Sequence, residues 1–532
     1  MFVSFENHYA PWGGLAAVMK MLPPVMSEKI PTIVISPFFS NIKKTQASIQ
    51  EGKLIKTELD AMVLYKGYKH KITLYKSTEY PTLQHFDFYL IQCDKFFLAG
   101  QNPYNDTWRF DSLFHDSYFF SKSVPVALSL LQSKYPPPYI LNLQDWETAL
   151  VADSMPYNLP NKCVLTLHNP YDTYLIDDPE KKTVLEYTIP KLQGLSTVSE
   201  QFAYELLHDP LQTEVVSRKL QGQFQYMNPI GINNGNFVPL SFPEQLRDPD
   251  AILSEKLKSR RLFNSLLNET EEIKPQWGAK CDLMRSDRPI FLIFGRDDPK
   301  QKGFDVAAVA IYRLLKEVGL DTGHFIFTPL PSTEDLDSLA YLEDLCEEFS
   351  HNVMVFPFRL SKGYDHLLKA ANFIIMPSYY EPFGAANEAY ASGTPVIARA
   401  TGGLIQQVCP LNYTSLPARI QKYINGYHAD VTKATGYLYR EHPSTETADN
   451  WKYILSTDFS ARRSIQEPID WRNPLFWSMV TELENTLKMS IKLYRTNKQT
   501  YGNLVLKGIE LFQRFSWKKS AERYRKQLYL VE

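Results

Sequence analysis

Two cationic side chains in the segment FGRDDPKQKGFD, which begins at Phe294, could bind a diphosphate. Arg296 follows a predicted buried strand, and Lys302 comes just before a predicted helix. Two fixed cations beside a helix N-terminus can neutralise a diphosphate without a metal ion. A solvated loop carries arginine and lysine about as often, so this segment alone leaves both interpretations open.

The stretch PSYYEPFGAANEAYASGTPVIARATGGL, which begins at Pro377, combines carboxylates with glycine-containing turns at strand ends. Its candidate ligand-binding residues are Glu381, Gly384, Glu388, Thr401, Gly402 and Gly403. A carboxylate in this position can accept hydrogen bonds from sugar hydroxyls, and the helix starts supply donors for phosphate oxygens. Two exposed acids that stabilise helix dipoles are the alternative, but that alternative does not explain two glycine turns around one carboxylate pair.

A glycine pair, Gly13 and Gly14, follows the first predicted strand and precedes a helix. Paired glycines let the backbone approach a ligand, and the helix start behind them offers free N–H groups for an anion or a sugar hydroxyl. A Gly-Gly turn is more often purely structural, so this signal is weak by itself.

The elements that must position these residues are short buried strands that alternate with amphipathic helices, as in βαβ units. Strand candidates in the first half are FVSFE, TIVISP, FYLIQ, YILNL, CVLTL and LSTVS, and those in the second half are PIFLIFG, HFIFTP, VMVFP, FIIMPS and TPVIARA. A charged stretch from about Arg247 to Arg288 separates the halves. We therefore expect an N-terminal α/β domain over 1–280, with the connector, and a second over 281–504, facing each other across a cleft. A closing amphipathic helix is expected over 505–532.

The composition is that of an ordinary globular protein and argues against several function classes. Of 532 residues, 44% are hydrophobic and 22% are charged. The net charge is -2, so the chain has no net positive field that would attract the phosphate backbone of nucleic acid. The 5 cysteines contain no C-x-x-C, which indicates neither a disulfide framework nor a zinc site. We find no signal peptide and no apolar run long enough for a membrane span. We expect a cytoplasmic protein and leave open export without a signal peptide.

The chain resembles the bacterial glycogen and plant starch synthases along almost its whole length. The matching segments, in the family's order, are SFENHYAPWGGLAAV, QDWETAL, TLHNP, STVSEQFAYEL, GINNGNF, FGRDDPKQKGFD, ANFIIMPSYYEPFG, TPVIARATGGL and FSWKKSAERY. The resemblance implies a retaining glycosyltransferase of the GT-B fold, with two Rossmann-like domains and a last helix that crosses back to the first. It also implies a nucleotide-sugar donor, such as ADP-glucose or UDP-glucose, held mainly by the second domain.

The resemblance assigns roles residue by residue. Arg296 and Lys302 match the pair that binds the donor diphosphate, and Glu381 matches the carboxylate that engages the donor sugar. The remaining matches are His168 beside the reacting sugar, Asp145 near the acceptor side, Asn234 from the N-G-I-D stretch, and Gly14 and Gly403, against which the donor lies. The role of His168 depends on the resemblance, because a lone histidine at a strand end is more often packed in a core.

The chain departs from the family at several of these motifs. Pro11 stands where K-x-G-G-L begins with lysine, Gln144 replaces the histidine of H-D-W, and Phe237 stands at the last position of N-G-I-D. Glu381 and Glu388 are separated by six residues instead of the seven of the wider retaining group, which turns a helical side chain by about 100°. The donor's base and sugar are therefore left open.

The chemical task that the resemblance implies is departure of a diphosphate from an anomeric carbon while a hydroxyl attacks from the same face. Fixed cations at the leaving phosphate stabilise the transition state more than the ground state. No Asp-x-Asp motif lies at a suitable strand end, so we expect no metal and no other cofactor. The resemblance implies a glucan or another hydroxyl compound as the acceptor. The alternatives are transfer of another sugar to a protein, lipid or small molecule, and a non-catalytic nucleotide-sugar or carbohydrate-binding module.

Overall fold

The structure, a computed structural model, describes residues 1–104, 111–331, 336–456, 465 and 472–531. The chain forms two compact units: unit 1 comprises Met1–Phe237 and Phe515–Glu532, and unit 2 comprises Val238–Arg514. Each unit contains one β-sheet.

Unit 1 contains a nine-stranded sheet in the order β3-β4-β5-β2-β1-β6-β7-β8-β9. Its strands are β1 (Phe2–Val3), β2 (Thr32–Pro37), β3 (Leu54–Tyr65), β4 (Tyr68–Ser77), β5 (Phe86–Gln92), β6 (Tyr139–Gln144), β7 (Asn161–Leu167), β8 (Gly194–Thr197) and β9 (Ile230–Gly231). β3 and β4 form an antiparallel hairpin, β4 pairs antiparallel with β5, and the other pairs are parallel. The strand order reverses between β1 and β6, and in such sheets ligands bind beyond the carboxyl ends of the strands at this switch point.

The helices between the strands of unit 1 begin with α1, whose first residue is the second glycine of the pair Gly13 and Gly14. They are α1 (Gly14–Ser27), α2 (Lys43–Gln50), α3 (Ser112–Leu131), α4 (Trp146–Ala149), α5 (Val151–Ser154), α6 (Val184–Thr188), α7 (Glu200–His208) and α8 (Gln221–Met227). α1 packs against β2, and its buried side chains include Leu15, Val18, Met19 and Leu22.

Unit 2 contains a six-stranded, all-parallel sheet in the order β12-β11-β10-β13-β14-β15. Its strands are β10 (Ile290–Arg296), β11 (His324–Leu330), β12 (Val353–Val355), β13 (Phe373–Met376), β14 (Val396–Arg399) and β15 (Gly436–Tyr439). Counted within the unit, this is the order 3-2-1-4-5-6 of a dinucleotide-binding fold, whose switch point lies between β10 and β13.

The helices of unit 2 include those that connect its parallel strands. They are α9 (Pro249–Glu269), α10 (Phe304–Val318), α11 (Ala340–Glu348), α12 (Tyr364–Ala370), α13 (Ala386–Ala391), α14 (Gly402–Gln407), α15 (Ala418–Tyr427), α16 (Ala448–Ser456), α17 (Pro474–Thr496) and α18 (Lys498–Phe512). The apolar face of α10 is buried at Phe304, Ala307, Ala308, Ile311, Leu314 and Leu315, whereas Val318 is 49% exposed at the helix end.

The chain returns to unit 1 with its last helix, α19 (Trp517–Arg523), which continues as a π-helical turn to Tyr529. Trp517, Tyr524 and Leu528 belong to the same buried cluster as Phe2 and Leu15. This segment therefore completes the hydrophobic core of unit 1, as expected for a helix that crosses back to the first domain.

The chain passes from one compact unit to the other after Phe237 and again after Arg514. The sequence indicates boundaries near residues 280 and 505 instead. The charged stretch contains α9, which packs against α12 and α18 of unit 2. The closing helical stretch is broken after Phe512, because α18 ends there and α19 begins only at Trp517. Within the described residues, no helix has the length and apolar character required to cross a membrane.

Candidate active site

Three loops at the carboxyl ends of β10, β13 and β14 build a candidate site in unit 2. Arg296 is the last residue of β10 and is half-buried. Glu381 lies a few residues beyond the end of β13, and Gly402 and Gly403 begin α14 beyond the end of β14. Because β10 and β13 are neighbours in the sheet, Arg296 and Glu381 follow the two strands that flank the switch point.

Lys302 and Glu381 form an ion pair at this switch point. The Nζ atom of Lys302 lies 2.6 Å from Oε2 of Glu381, and the two side chains are 20% and 12% exposed. Ser378 donates a hydrogen bond from its hydroxyl to the same carboxylate oxygen at 2.9 Å. Glu381 is therefore held by two neighbours through one oxygen.

A glycine at the start of α10 makes this approach possible. Gly303 has φ +60°, and a Cβ atom there would lie 2.3 Å from the carbonyl oxygen of Pro377. The same two loops are joined by a hydrogen bond from the amide of Tyr379 to the carbonyl of Gln301 at 2.7 Å. The loop that carries Lys302 is thus fixed against the loop that carries Glu381.

The glycine pair at the start of α14 performs the same task for the third loop. Gly402 has φ +46°, and a Cβ atom there would lie 1.8 Å from the carbonyl oxygen of Glu381. The amide of Gly403 donates to that oxygen at 3.0 Å. Thr401, the N-cap residue of α14, is buried. This turn therefore packs directly against the backbone of Glu381.

Glu388 lies on α13 and is half-buried near Lys302. Burial raises the pKa of Glu388 to about 7, although the charge of Lys302 opposes this shift. Gly384, with φ +91°, precedes α13, and a Cβ atom there would lie 2.8 Å from the side chain of Leu404 on α14. The structure thus brings the lysine and both predicted carboxylates together, while in the described ranges the guanidinium of Arg296 forms no ion pair or hydrogen bond.

A second group of predicted residues lies at the switch point of unit 1. Asp145 follows β6 and His168 follows β7, the next strand of the sheet. Oδ1 of Asp145 accepts a hydrogen bond from the backbone amide of His168 at 2.6 Å. Burial raises the pKa of Asp145 and lowers the pKa of His168 to about 3. Asp145 has φ +58°, and such backbone strain is common at functional sites.

The glycine pair of unit 1 was expected to offer free N–H groups to a ligand, but the N–H group of Gly13 bonds within the protein. The amides of Trp12 and Gly13 donate to Oε1 of Glu6 at 2.8 and 2.6 Å, and Tyr104 donates to Oε2 at 2.8 Å. A buried carboxylate requires such donors. The N–H group of Gly13 is therefore engaged by Glu6 and is not available to a ligand. Gly14 faces open space, since a Cβ atom added there would meet no heavy atom within 4 Å.

Asn234 lies apart from this group, beyond β9 at the edge of the sheet in unit 1. Its side chain is 4% exposed, and its Oδ1 atom is buried without a hydrogen-bond partner among the described residues. The neighbouring Gly235 packs against the backbone of Trp517 at the start of α19. The structure thus places Asn234 beside the returning helix.

Sequence reasoning missed three residues that hold the two sites in shape: Glu6, Gly303 and Ser378. Glu6 fixes the turn before α1, Gly303 allows the loops of unit 2 to approach, and Ser378 orients Glu381. A glycine directly between Lys302 and a predicted helix was the available signal for the second of these. The other two carry no comparable signal, because their contacts depend on the folded loops.

Comparisons with known proteins match parts of both units to glycosyltransferase families. The family described as the starch synthase catalytic domain matches residues 1–215, and the description "Family 4 Glycosyltransferase in conflict systems" matches residues 260–428. A probable glycogen synthase from Methanocaldococcus jannaschii is 32% identical over 386 residues, which are 64% of this chain and 70% of that protein. The chain belongs to the glycogen/starch synthase family. It is therefore a glycosyltransferase, as the ordered motifs predicted.

Two further comparisons extend over nearly the whole of this glycosyltransferase. A glycogen synthase from Petrotoga mobilis is 24% identical over 539 residues, which cover 93% of this chain and 97% of that protein. The catalytic domain of starch synthase IV from Arabidopsis thaliana, bound to ADP and acarbose, superposes with a TM-score of 0.67 at 19% identity and covers 99% of this chain and 97% of that domain. The GT-B fold of this glycogen/starch synthase family member is thus confirmed.

Proposed function

We propose that this glycosyltransferase moves a hexose, glucose in the first instance, from a nucleotide diphosphate sugar to a hydroxyl group of a glucan or another acceptor. The observation that carries the proposal is the placement of Arg296, Lys302 and Glu381 at the switch point of unit 2, with Lys302 and Glu381 in contact at 2.6 Å. Two cations and a carboxylate at one strand-end site suit a ligand that is anionic at one end and rich in hydroxyls at the other.

The proposed reaction proceeds with retention of the anomeric configuration. The bond between the anomeric carbon and the diphosphate oxygen breaks, a bond from that carbon to the acceptor oxygen forms on the same face, and the acceptor proton passes to the leaving phosphate. Arg296 and Lys302 stabilise the negative charge that grows on the diphosphate, while Oε1 of Glu381, the oxygen to which Lys302 and Ser378 do not bond, orients the sugar. A single preorganised donor of this kind contributes about 2.7–4 kcal/mol of transition-state stabilisation.

The donor is a nucleotide sugar such as ADP-glucose or UDP-glucose, and we propose that transfer needs no divalent ion. The starch synthase IV domain with the same fold binds ADP, which supports a nucleotide donor for this chain. Two side-chain cations supply the charge that a divalent ion supplies in other phosphoryl-leaving-group enzymes. The 5 free cysteines support a reducing, cytoplasmic setting.

Transfer assays with ADP-glucose and UDP-glucose test the proposal directly. We expect nucleotide release that depends on a glucan, an unchanged rate after chelation, and NMR signals of an α-linked product. Arg296→Ala should lower kcat by about 10²–10³, whereas Arg285→Ala, which removes an exposed arginine of the same unit, should leave kcat unchanged. Normal turnover in Arg296→Ala, or activity that chelation abolishes, would contradict the mechanism.

A second candidate, transfer to a non-glucan acceptor or of another sugar, has one observation in its favour. Pro11 stands at the position of the family's lysine, is exposed, and lies just before α1. The chain therefore lacks one cationic contact to a phosphate or to the acceptor that the resemblance implies. A panel of nucleotide sugars tested for thermal stabilisation distinguishes the donors, because only a ligand that binds the native state raises the melting temperature.

A further inference from the structure

His168 has one ring nitrogen bonded within the protein and one that is available. Its Nε2 atom lies 2.8 Å from Oε1 of Gln144. Its Nδ1 atom has no hydrogen-bond partner among the described residues, and it is not among the polar atoms that protein atoms enclose. The ring therefore presents Nδ1 at the strand-end site of unit 1.

The orientation of the Gln144 amide is fixed by its other end. Nε2 of Gln144 lies 3.2 Å from the carbonyl oxygen of Asn142 on the same strand. A carbonyl oxygen can only accept, so the NH₂ group must face Asn142 and the amide oxygen must face His168. The backbone of Gln144 is also held, since its amide and carbonyl both bond to the hydroxyl of Thr148 at 2.7 and 2.9 Å. Gln144 is 1% exposed.

The amide oxygen of Gln144 sets the protonation of the ring. Because this oxygen only accepts, Nε2 of His168 must carry a proton. Burial lowers the pKa of His168 to about 3, so the ring is neutral near pH 7 and carries a single proton. Nδ1 is therefore unprotonated and can accept a hydrogen bond.

We propose that Gln144 is a positioning residue that holds His168 as the Nε2–H tautomer, so that Nδ1 acts as a hydrogen-bond acceptor for a substrate hydroxyl. The substrate part of this proposal rests on the proposed function, whereas the tautomer does not. The family has histidine at the position of Gln144, and a histidine can be donor or acceptor. An amide removes that ambiguity, which makes the departure at this position functional.

The acidic groups in this region do not take the place of Gln144 as the hydrogen-bond partner of the His168 ring. Asp145 binds the backbone amide of His168 and not the ring. Burial raises the pKa of Glu6, Glu147 and Asp172. The charges of Asp145, Glu6 and Asp172 also raise the pKa of Glu147, and the charge of Glu6 adds to burial in raising the pKa of Asp145. Burial is the cause that acts on the pKa of His168. The bond to Gln144 is thus the contact that orients and polarises the ring.

NMR of the full chain with ¹⁵N-labelled histidine rings tests the tautomer without any substrate. The chain has 11 histidines, and the His168 signals are identified as those missing in His168→Gln. At pH 7 we expect a proton bonded to Nε2 and the shift of an unprotonated nitrogen at Nδ1. A proton on Nδ1, or a doubly protonated ring, overturns the proposal even if the protein transfers sugar normally. The expected tautomer in a protein inactive with every nucleotide sugar leaves the proposal standing and counts against the proposed function.

Replacement of the neutral Gln144 amide by a carboxylate tests the link to activity. In Gln144→Glu the carboxylate should stabilise the imidazolium, raise the pKa of His168 and turn Nδ1 into a donor. We expect kcat/KM at pH 6 to fall by about ten-fold or more, as for one lost hydrogen bond, and to recover as the pH rises above the new pKa. Gln132→Glu, which adds the same charge at an exposed position of unit 1, should change neither the NMR signals nor the pH profile. A pH-independent loss in Gln144→Glu would mean that Gln144 is only structural.

Discussion

The ammonium group of Lys302 lies 2.6 Å from Oε2 of Glu381, so the residue assigned to the diphosphate and the residue assigned to the sugar share a hydrogen bond. The carboxylate thus balances a cation whose proposed partner is a phosphate. Its negative charge attracts the lysine but repels a phosphate, and the two effects can be separated by substitution.

Substitution of the two partners should have opposite effects on nucleotide binding. Lys302→Ala removes a charged donor, which contributes about 1.5–3 kcal/mol, so ADP or UDP should bind about ten-fold or more weakly. Glu381→Gln removes the competing charge, so nucleotide binding should stay equal or tighten while kcat falls by about 10²–10³. Calorimetric titration with ADP and UDP, combined with transfer assays, measures both. Equal weakening by the two variants would contradict this division of roles.

Two glycines should respond differently to the same substitution. Gly402→Ala places a Cβ atom 1.8 Å from the carbonyl oxygen of Glu381 at φ +46°, which should destabilise unit 2 by about 1–3 kcal/mol or more and weaken nucleotide binding. Gly14→Ala meets open space at the first position of α1, so the melting temperature should be unchanged or slightly higher. If the donor lies against Gly14, kcat/KM should nevertheless fall in that variant. Thermal unfolding and transfer assays on both proteins check these outcomes.

A buried lysine in unit 2 should make stability rise with pH. Nζ of Lys256 donates to the carbonyls of Lys369 and Ala371 and to Thr394 at 2.7–3.2 Å, and burial lowers its pKa from 10.5 to about 7. Between these two pH values the unfolded chain binds more protons, so the free energy of unfolding should rise by up to about 1.4 kcal/mol per pH unit. Above 10.5 this contribution levels off.

Denaturant unfolding of unit 2 between about pH 7 and pH 10 measures that slope. Lys256→Met should reduce it, whatever the variant's absolute stability. Lys258→Met changes a side chain on the same helix that is 68% exposed, and it should keep the slope of the natural chain. An unchanged slope in Lys256→Met would show that Lys256 keeps its proton in the folded protein.

The returning helix should control the stability of unit 1 alone. Trp517 is 6% exposed and donates from its indole to the carbonyl of Asn236 at 2.7 Å, so Trp517→Ala should cost about 3–5 kcal/mol. Hydrogen–deuterium exchange should accelerate in the strands of unit 1 and stay unchanged in unit 2. Trp477→Ala, at a 42% exposed position of α17, serves as the control and should affect neither set of strands.

The sequence predicted the buried parallel strands because their apolar runs are continuous. β2 is the predicted segment TIVISP, from Thr32 to Pro37, and all six residues are buried. The hairpin β3–β4 was not predicted, since Lys56, Glu58 and Asp60 interrupt the apolar residues of β3 and half of its residues are exposed. The short strand β15 was also missed, because only the sheet around Gly436–Tyr439 distinguishes it from a loop.

The site was predictable in its residue types but not in its contacts. The charges at Arg296, Lys302 and Glu381 and the ordered motifs identified the family. The pairing of Lys302 with Glu381 was not predictable, since it depends on the close approach that Gly303 allows between two loops far apart in sequence. The bond from Glu6 to the amide of Gly13 depends in the same way on a turn that only the folded chain defines.

The path of the chain through its two units has a consequence for biosynthesis. Unit 1 is interrupted after Phe237 and resumes only at Phe515, so its sheet emerges from the ribosome long before the helix that covers it. Unit 2 is continuous and can fold as soon as it has been translated. During the interval, we expect the apolar side chains of α1 that pack against α19 in the folded protein to be partly uncovered, and the nascent chain to be most prone to aggregation.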